Sequence, residues 1–233
     1  MPHTGTARKA WDPRILLSDR QREQLRIFAS ELLRYNRRHN IISRDTEAGV
    51  AERHVLHSLA LARKDFPAGA VVVDWGTGGG LPAIPLAIAF PEVEIHAVDA
   101  VRKKIHVVRA LQRRLGLDNL VAWHGRAEEW HGHAHYSVSR AAASLLQLWK
   151  WHKRVGVSRP GVEAGFMWQP GVICLKGGDL SSEAAALGTS YPSVHIRTTS
   201  LAALGNSECF AEKVIVELAD PSVTESLQAS RTR

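Results

Sequence analysis

The stretch from Val71 to Leu86 constrains this chain more than any other. A β-branched run, Val71-Val72-Val73, passes into Asp74-Trp75-Gly76-Thr77-Gly78-Gly79-Gly80 and then into Leu81-Pro82-Ala83-Ile84-Pro85-Leu86. The first part reads as a buried strand, the glycines as a tight turn, and the last part as a helix with prolines where a first turn tolerates them. A crevice of this form takes a nucleotide. Further short apolar runs stand at 93–95, 136–138 and 172–174, separated by segments of helical length. That alternation specifies βαβ units, so the expected fold is α/β: a Rossmann-like, mainly parallel sheet with helices on both faces.

Asp99 ends the run after the glycine loop, 23 residues beyond Gly76, close to where an acid receives two ribose hydroxyls. A dinucleotide fingerprint needs a third glycine at the position Leu81 occupies; a frame from Gly78 restores the spacing but puts Pro82 inside it. Charge separates the options further. Asp74 places an anion where a pyrophosphate would face a helix N-terminus, and the two repel. S-adenosylmethionine (AdoMet) has no phosphate and carries a sulfonium and an ammonium. The pattern therefore favours AdoMet, held by Asp74, Gly76, Gly78 and Asp99, over a nicotinamide cofactor and an oxidoreductase.

A helix begins at the capping box Ser18-Asp19-Arg20-Gln21, with Leu25, Phe28, Ala29, Leu32 and Leu33 on one stripe. A second helix, capped near Thr46, turns Val50, Ala51, Val55, Leu59 and Ala60 inward. Residues 1–17 are expected to be a loose basic tail, 18–64 a helical cap, 65–220 the sheet domain and 221–233 a C-terminal tail. Within the sheet domain, 102–115 reads as an amphipathic helix ended by Gly116, and 154–170 as a loop. Val194–Thr198 and Lys213–Leu218 are either a terminal hairpin or the last strands of the sheet.

Residues 1–64 hold 13 Lys/Arg against 7 Asp/Glu, and 102–159 hold 12 against 3. Two basic blocks suggest a polyanion partner, although solvated helix faces explain such charge equally well. Trp149 and Trp151 are weak candidates for base-stacking platforms. The two cysteines lack metal or disulfide spacing, and His131, His133 and His135 read as a solvated loop, so no metal is expected. The longest apolar run, Leu81 to Phe90, is too short to span a bilayer, and no leader-like segment opens the chain, so a cytoplasmic protein is expected. No nucleophile elbow, catalytic Cys/His pattern or zinc-protease motif occurs. His54, on an otherwise apolar helix, reads as a core histidine.

The loop Asp74 to Leu86 resembles that of the RsmG (GidB) family of ribosomal RNA methyltransferases. So do Asn36, Asn40-Ile41-Ile42-Ser43, Arg53-His54-Val55-Leu56-His57-Ser58, Arg126-Ala127-Glu128-Glu129, Ser139-Arg140-Ala141 and Leu175-Lys176-Gly177, in that order. The resemblance covers about residues 18 to 218. It implies an enzyme that methylates N7 of one guanosine in 16S small-subunit ribosomal RNA, as RNA or within a small ribosomal subunit particle; a monomer is expected. By that resemblance Gly76 and Leu81 line the donor site, Asp99 takes the ribose, Ala127 and Glu128 flank the adenine, and Arg140 reaches the reacting region. Arg126 and Lys176 match basic positions tied to RNA handling or activity, with Lys213 a looser candidate. Many members have proline at Gly79, glycine at Ala83 and aspartate at His57. An RNA-binding assembly factor that carries no catalysis is the remaining alternative.

Overall fold

The computed structural model describes residues 12–39, 50–140, 142–158, 167–204 and 208–220. Seven strands form one sheet: β1 (Val71–Trp75), β2 (Glu94–Asp99), β3 (Leu120–His124), β4 (Tyr136–Arg140), β5 (Gly171–Gly177), β6 (His195–Ser200) and β7 (Lys213–Ala219). Their order is β3-β2-β1-β4-β5-β7-β6, with β1 to β5 parallel and β7 antiparallel to both its neighbours. The two C-terminal runs thus form a hairpin that is also the last pair of strands.

Helices cover both faces, as the alternation of runs requires. On one face lie α1 (Asp19–His39), α2 (Val50–Leu59), α3 (Ala83–Ala89) and α4 (Arg102–Leu115) over a core that includes Val72, Ile95, Val138 and Ile173. On the other, α5 (Leu145–Val155) and α6 (Ser181–Ser190) pack over Val73, Val98, Val172 and Cys174. Neighbouring residues of one strand serve opposite cores, the period-two alternation of a pleated strand.

The N-terminal helices do not stand apart from this core. Ser18 and Gln21 form the expected box, Gln21 Oε1 accepting the Ser18 N–H at 2.9 Å. The amide of Gln21 also donates to Ile88 O at 2.8 Å, and that of Gln24 donates to Leu115 O at 2.8 Å. Phe28 and Leu32 are fully buried in the same core as Ile84 and Leu111. The boundary at 64/65 is bridged as well, by a Lys64–Glu217 ion pair at 2.9 Å and by the Trp168 indole donating to Leu61 O.

Three expectations need adjusting. Pro13–Leu16 form a 3-10 turn capped by Asp12, and Leu17 is buried, so residues 12–17 are not part of a loose tail. Helix α5 runs to Val155, so the loop begins later than 154. Strand β3, absent from the reading of the sequence, occupies the sheet edge. The Thr46 cap, Asn40 to Ser43 and residues 221–233 lie outside the described residues.

Candidate active site

The strand order reverses between β1 and β4, and crevices at such switch points, beyond the strand carboxyl ends, are where open α/β sheets hold ligands. The glycine loop fills one side of this crevice. Gly76, Gly78 and Gly80 all have positive φ, at 72, 57 and 91 degrees. At Gly76 a Cβ would lie 2.5 Å from the Ala142 Cβ, so only glycine lets the loop approach the chain leaving β4 so closely. Leu81 is buried beneath the loop.

Two carboxylates organise this half. Asp99 Oδ2 accepts the Gly78 N–H at 2.9 Å and its Oδ1 accepts the Val101 N–H at 2.8 Å, tying the loop to the tip of β2. Capping the approach to α4 and facing the loop are therefore compatible roles. Asp74 is fully buried, and its Oδ2 accepts the Ala83 N–H at 3.1 Å, satisfying the start of α3. Its Oδ1 and the Thr77 hydroxyl have no well-aligned hydrogen-bond partner among the described residues, although the hydroxyl is near enough to lower the carboxyl's pKa. Burial prevails and pushes Asp74 up to about 7, against the pull of Thr77, the Ala83 N–H and Arg140.

Beyond β3 a 3-10 turn, Ala127–Glu129, lies beside Asp99, whose carbonyl accepts the Gly125 N–H at 3.2 Å. Helix α5 secures that turn. Trp151 Nε1 donates to Glu128 Oε1 at 2.8 Å, while the Arg154 guanidinium donates to Trp130 O at 2.9 Å and to Ala127 O. Arg126 is exposed at the turn's start, its N–H bonded to Glu129 Oε2 at 3.1 Å. Trp149 is buried in the second core, which removes it as a stacking platform.

The other half of the crevice is cationic. Arg140, at the tip of β4, points toward α2, where its Nη1 donates to His54 Nδ1 at 2.8 Å. An arginine only donates, so His54 accepts through Nδ1 and is neutral in this contact. Burial draws the Arg140 guanidinium below its ordinary value and Asp74 opposes the shift. His57, one helical turn on, packs against Phe210 with ring centroids 5.6 Å apart. Burial first, then Arg140, Lys213 and His54, push it down to about 3. Lys213 begins β7 opposite Gly177, and a Cβ on that glycine would lie 2.9 Å from the lysine Nζ, so the ammonium folds over the end of β5.

Lys176 is engaged by protein partners. Its Nζ donates to Glu183 Oε2 at 2.9 Å and to Ala143 O at 2.6 Å, on the α5/α6 side of the sheet. Glu183 in turn accepts the Leu145 N–H at 2.8 Å. Lys176 therefore holds the turn after Arg140. Glu183 and His54 were not identified as site residues in the sequence. The three-residue spacing of His54 and His57, which puts both on one helix face, was the available signal for the second of these.

A glycine cradle with paired carboxylates at the switch point of this sheet defines an AdoMet-dependent methyltransferase, and known proteins agree. Similar folds include the Bacillus cereus O-methyltransferase in complex with SAH (TM-score 0.53, 14% identity, covering 83% of this chain and 90% of that one). An Aquifex aeolicus SAM-dependent methyltransferase is similar at TM-score 0.50 and 14% identity, covering 72% and 92%. The model of the family described as rRNA small subunit methyltransferase G matches residues 21–202. "Ribosomal RNA small subunit methyltransferase G" of Salinibacter ruber is 55% identical over 208 residues, 89% of this chain and 96% of its own. The Bacteroides fragilis protein of that name is 40% identical over 170 residues, 72% and 80% of the two chains. This chain belongs to that family. It is an enzyme that uses AdoMet and acts on RNA.

Proposed function

We propose that the chain methylates N7 of a single guanosine in 16S small-subunit ribosomal RNA. The observation that carries this reading is the crevice itself, with carboxylates on its β1/β2 side and cations on its β4/β7 side, in a chain of this family. Gly76, Gly78 and Leu81 line the donor, Asp99 receives its ribose, and Ala127 and Glu128 flank its adenine. Asp74 supports the loop from below, and a cationic ligand above it would favour its ionised form. When bound, AdoMet supplies an electrophilic methyl group on a positively charged sulfur.

Guanine N7 keeps a free lone pair, so no proton has to be removed before attack. What the chain must do is hold the base in line, and alignment can supply about 7–11 kcal/mol in favourable cases. Arg140, steadied by His54, sits at the seam of the two halves and orients the guanosine or the donor carboxylate. Lys213 and the exposed Arg126 neutralise RNA phosphates. Lys176 acts at one remove by fixing the turn at Ala143. We propose that the chain acts as a monomer in the cytoplasm.

N7 transfer leaves a fixed positive charge on the purine and opens it to reduction and strand scission. Small-subunit RNA from cells carrying the protein is expected to be cut at one extra guanosine after borohydride and aniline, and RNA from cells lacking it is not. A methyl group on a base carbon, an exocyclic amine or a ribose hydroxyl would refute the N7 reading.

A further inference from the structure

Each of the two basic blocks of the sequence contributes a helix, α1 and α4, and the two differ in electrostatics. On α1 three arginines are answered within the helix, while Arg20 and Arg37 are exposed outside such pairs: Arg22 pairs with Asp19 and Arg26 with Glu23, each at 2.6 Å, and Arg34 pairs with Glu31. Exposed i,i+3 pairs of this kind close the field locally and leave little for a partner. Helix α4 carries no acidic residue at all between Arg102 and Leu115.

Its basic residues are also aligned. With 3.6 residues per turn, Arg102, His106, Arg109 and Arg113 fall on one line, and all four are exposed. Lys103 and Arg114 flank that line and are exposed too, while Ile105, Val108, Leu111 and Leu115 face the core. Lys104 approaches Asp99 at 3.8 Å, and Arg109 donates to Ala122 O at 3.0 Å. Arg102, Lys103, Arg113 and Arg114 have no carboxylate partner among the described residues. Helix stability does not account for the arrangement. Arg113 and Arg114 suit the last turn, but Arg102 and Lys103 stand in the first, where the helix dipole disfavours positive charge.

We propose that the exposed stripe of α4 is a second RNA contact, binding the phosphate backbone of folded RNA that flanks the target nucleotide. It rests on the reading that the substrate is RNA. At a rise of 1.5 Å per residue, Arg102 and Arg113 are about 16 Å apart along the axis. One end of the stripe adjoins Asp99 at the rim of the crevice. The other reaches the opposite end of the sheet, where Gln24 of α1 meets Leu115. A substrate engaging its whole length extends well past the base in the site, so a structured RNA binds through it and a short oligonucleotide does not.

The test is RNA binding by full-length protein as a function of salt, read by fluorescence anisotropy with a transcribed small-subunit RNA fragment. Removing two phosphate contacts with Arg102→Ala and Arg113→Ala should lower the slope of log affinity against log salt by about 1.4 to 1.8, at 0.7–0.9 per contact. AdoMet affinity measured on the same preparation should stay unchanged, which also verifies the fold. Arg26→Ala with Arg34→Ala on α1 should leave the slope where it was. An unchanged slope in the α4 variant, or an equal drop in the α1 variant, would overturn the inference. Because binding is measured and not turnover, this result is independent of whether the wild-type protein proves to methylate N7.

Discussion

The two halves of the crevice differ in charge and in how that charge is held. On the β1/β2 side, Asp74 and Asp99 are buried and fixed by backbone N–H groups at the loop and the starts of helices. On the β4/β7 side, Arg140 and Lys213 face a helix that offers them two imidazoles and no carboxylate of its own among its described side chains. On the proposed function, the first side suits a cationic donor and the second a polyanionic acceptor. Backbone holds the first half rigidly, whereas side chains tune the second.

The largest effect that could break this division is at the seam. Arg140→Ala should reduce methyl transfer by about a hundredfold or more, since small misplacements near the reacting atoms cost that much. Labelled-methyl transfer to RNA measures it, with the thermal transition as a check on folding. Retained transfer would remove Arg140 from the site.

Lys176 sharpens the same boundary. Replacing it by Met breaks charge-assisted bonds to Glu183 and Ala143, worth about 1.5–3 kcal/mol before discounting the partly exposed Glu183. A domain of this size then loses roughly 2–4 °C in Tm per kcal/mol. Residual transfer should follow the folded fraction. A loss of transfer with Tm unchanged would return Lys176 to the substrate side.

Much of the donor half was legible in the sequence because it is local. Strand, glycine turn and helix follow one another in 16 residues, and their identities report backbone constraints directly. The α4 helix and its Gly116 stop, at φ 64 degrees, were readable for the same reason. The acceptor half is assembled from distant pieces: α2, β4, β5 and β7 meet only in the folded chain. Nothing in the run Leu175-Lys176-Gly177 reveals that the ammonium turns to Glu183, seven residues on, because strand alternation alone decides which face it joins. Strand β3 escaped notice because it is an edge strand, with Leu120 and Ala122 facing the core and Val121 43% exposed. Trp149 and Trp151 are indistinguishable by type, yet their positions on α5 send one into the core and the other to Glu128.

A smaller effect probes the two halves through pH. Asp74 is raised from 3.8 to about 7, so its contribution to stability is full below pH 4 and is lost as pH rises to 7. His57 is lowered from 6.5 to about 3, so its contribution is present above pH 6.5 and is lost as pH falls. The two slopes are opposite in sign. Chemical denaturation at a series of pH values should show stability climbing more steeply between about pH 4 and 7 in Asp74→Asn, and less steeply in His57→Gln. The same change of slope in both variants would deny that their surroundings differ.

The division of the crevice is tested most directly by calorimetric titration of AdoMet into two variants, one from each half. Asp99→Ala should lose about 1–3 kcal/mol of binding, roughly ten- to a hundredfold in Kd, as charge-assisted hydrogen bonds disappear. Lys213→Ala, on the cationic side, should bind AdoMet as the unaltered protein does. Equal losses in both variants, or a loss confined to Lys213→Ala, would contradict the assignment of donor and acceptor to separate sides.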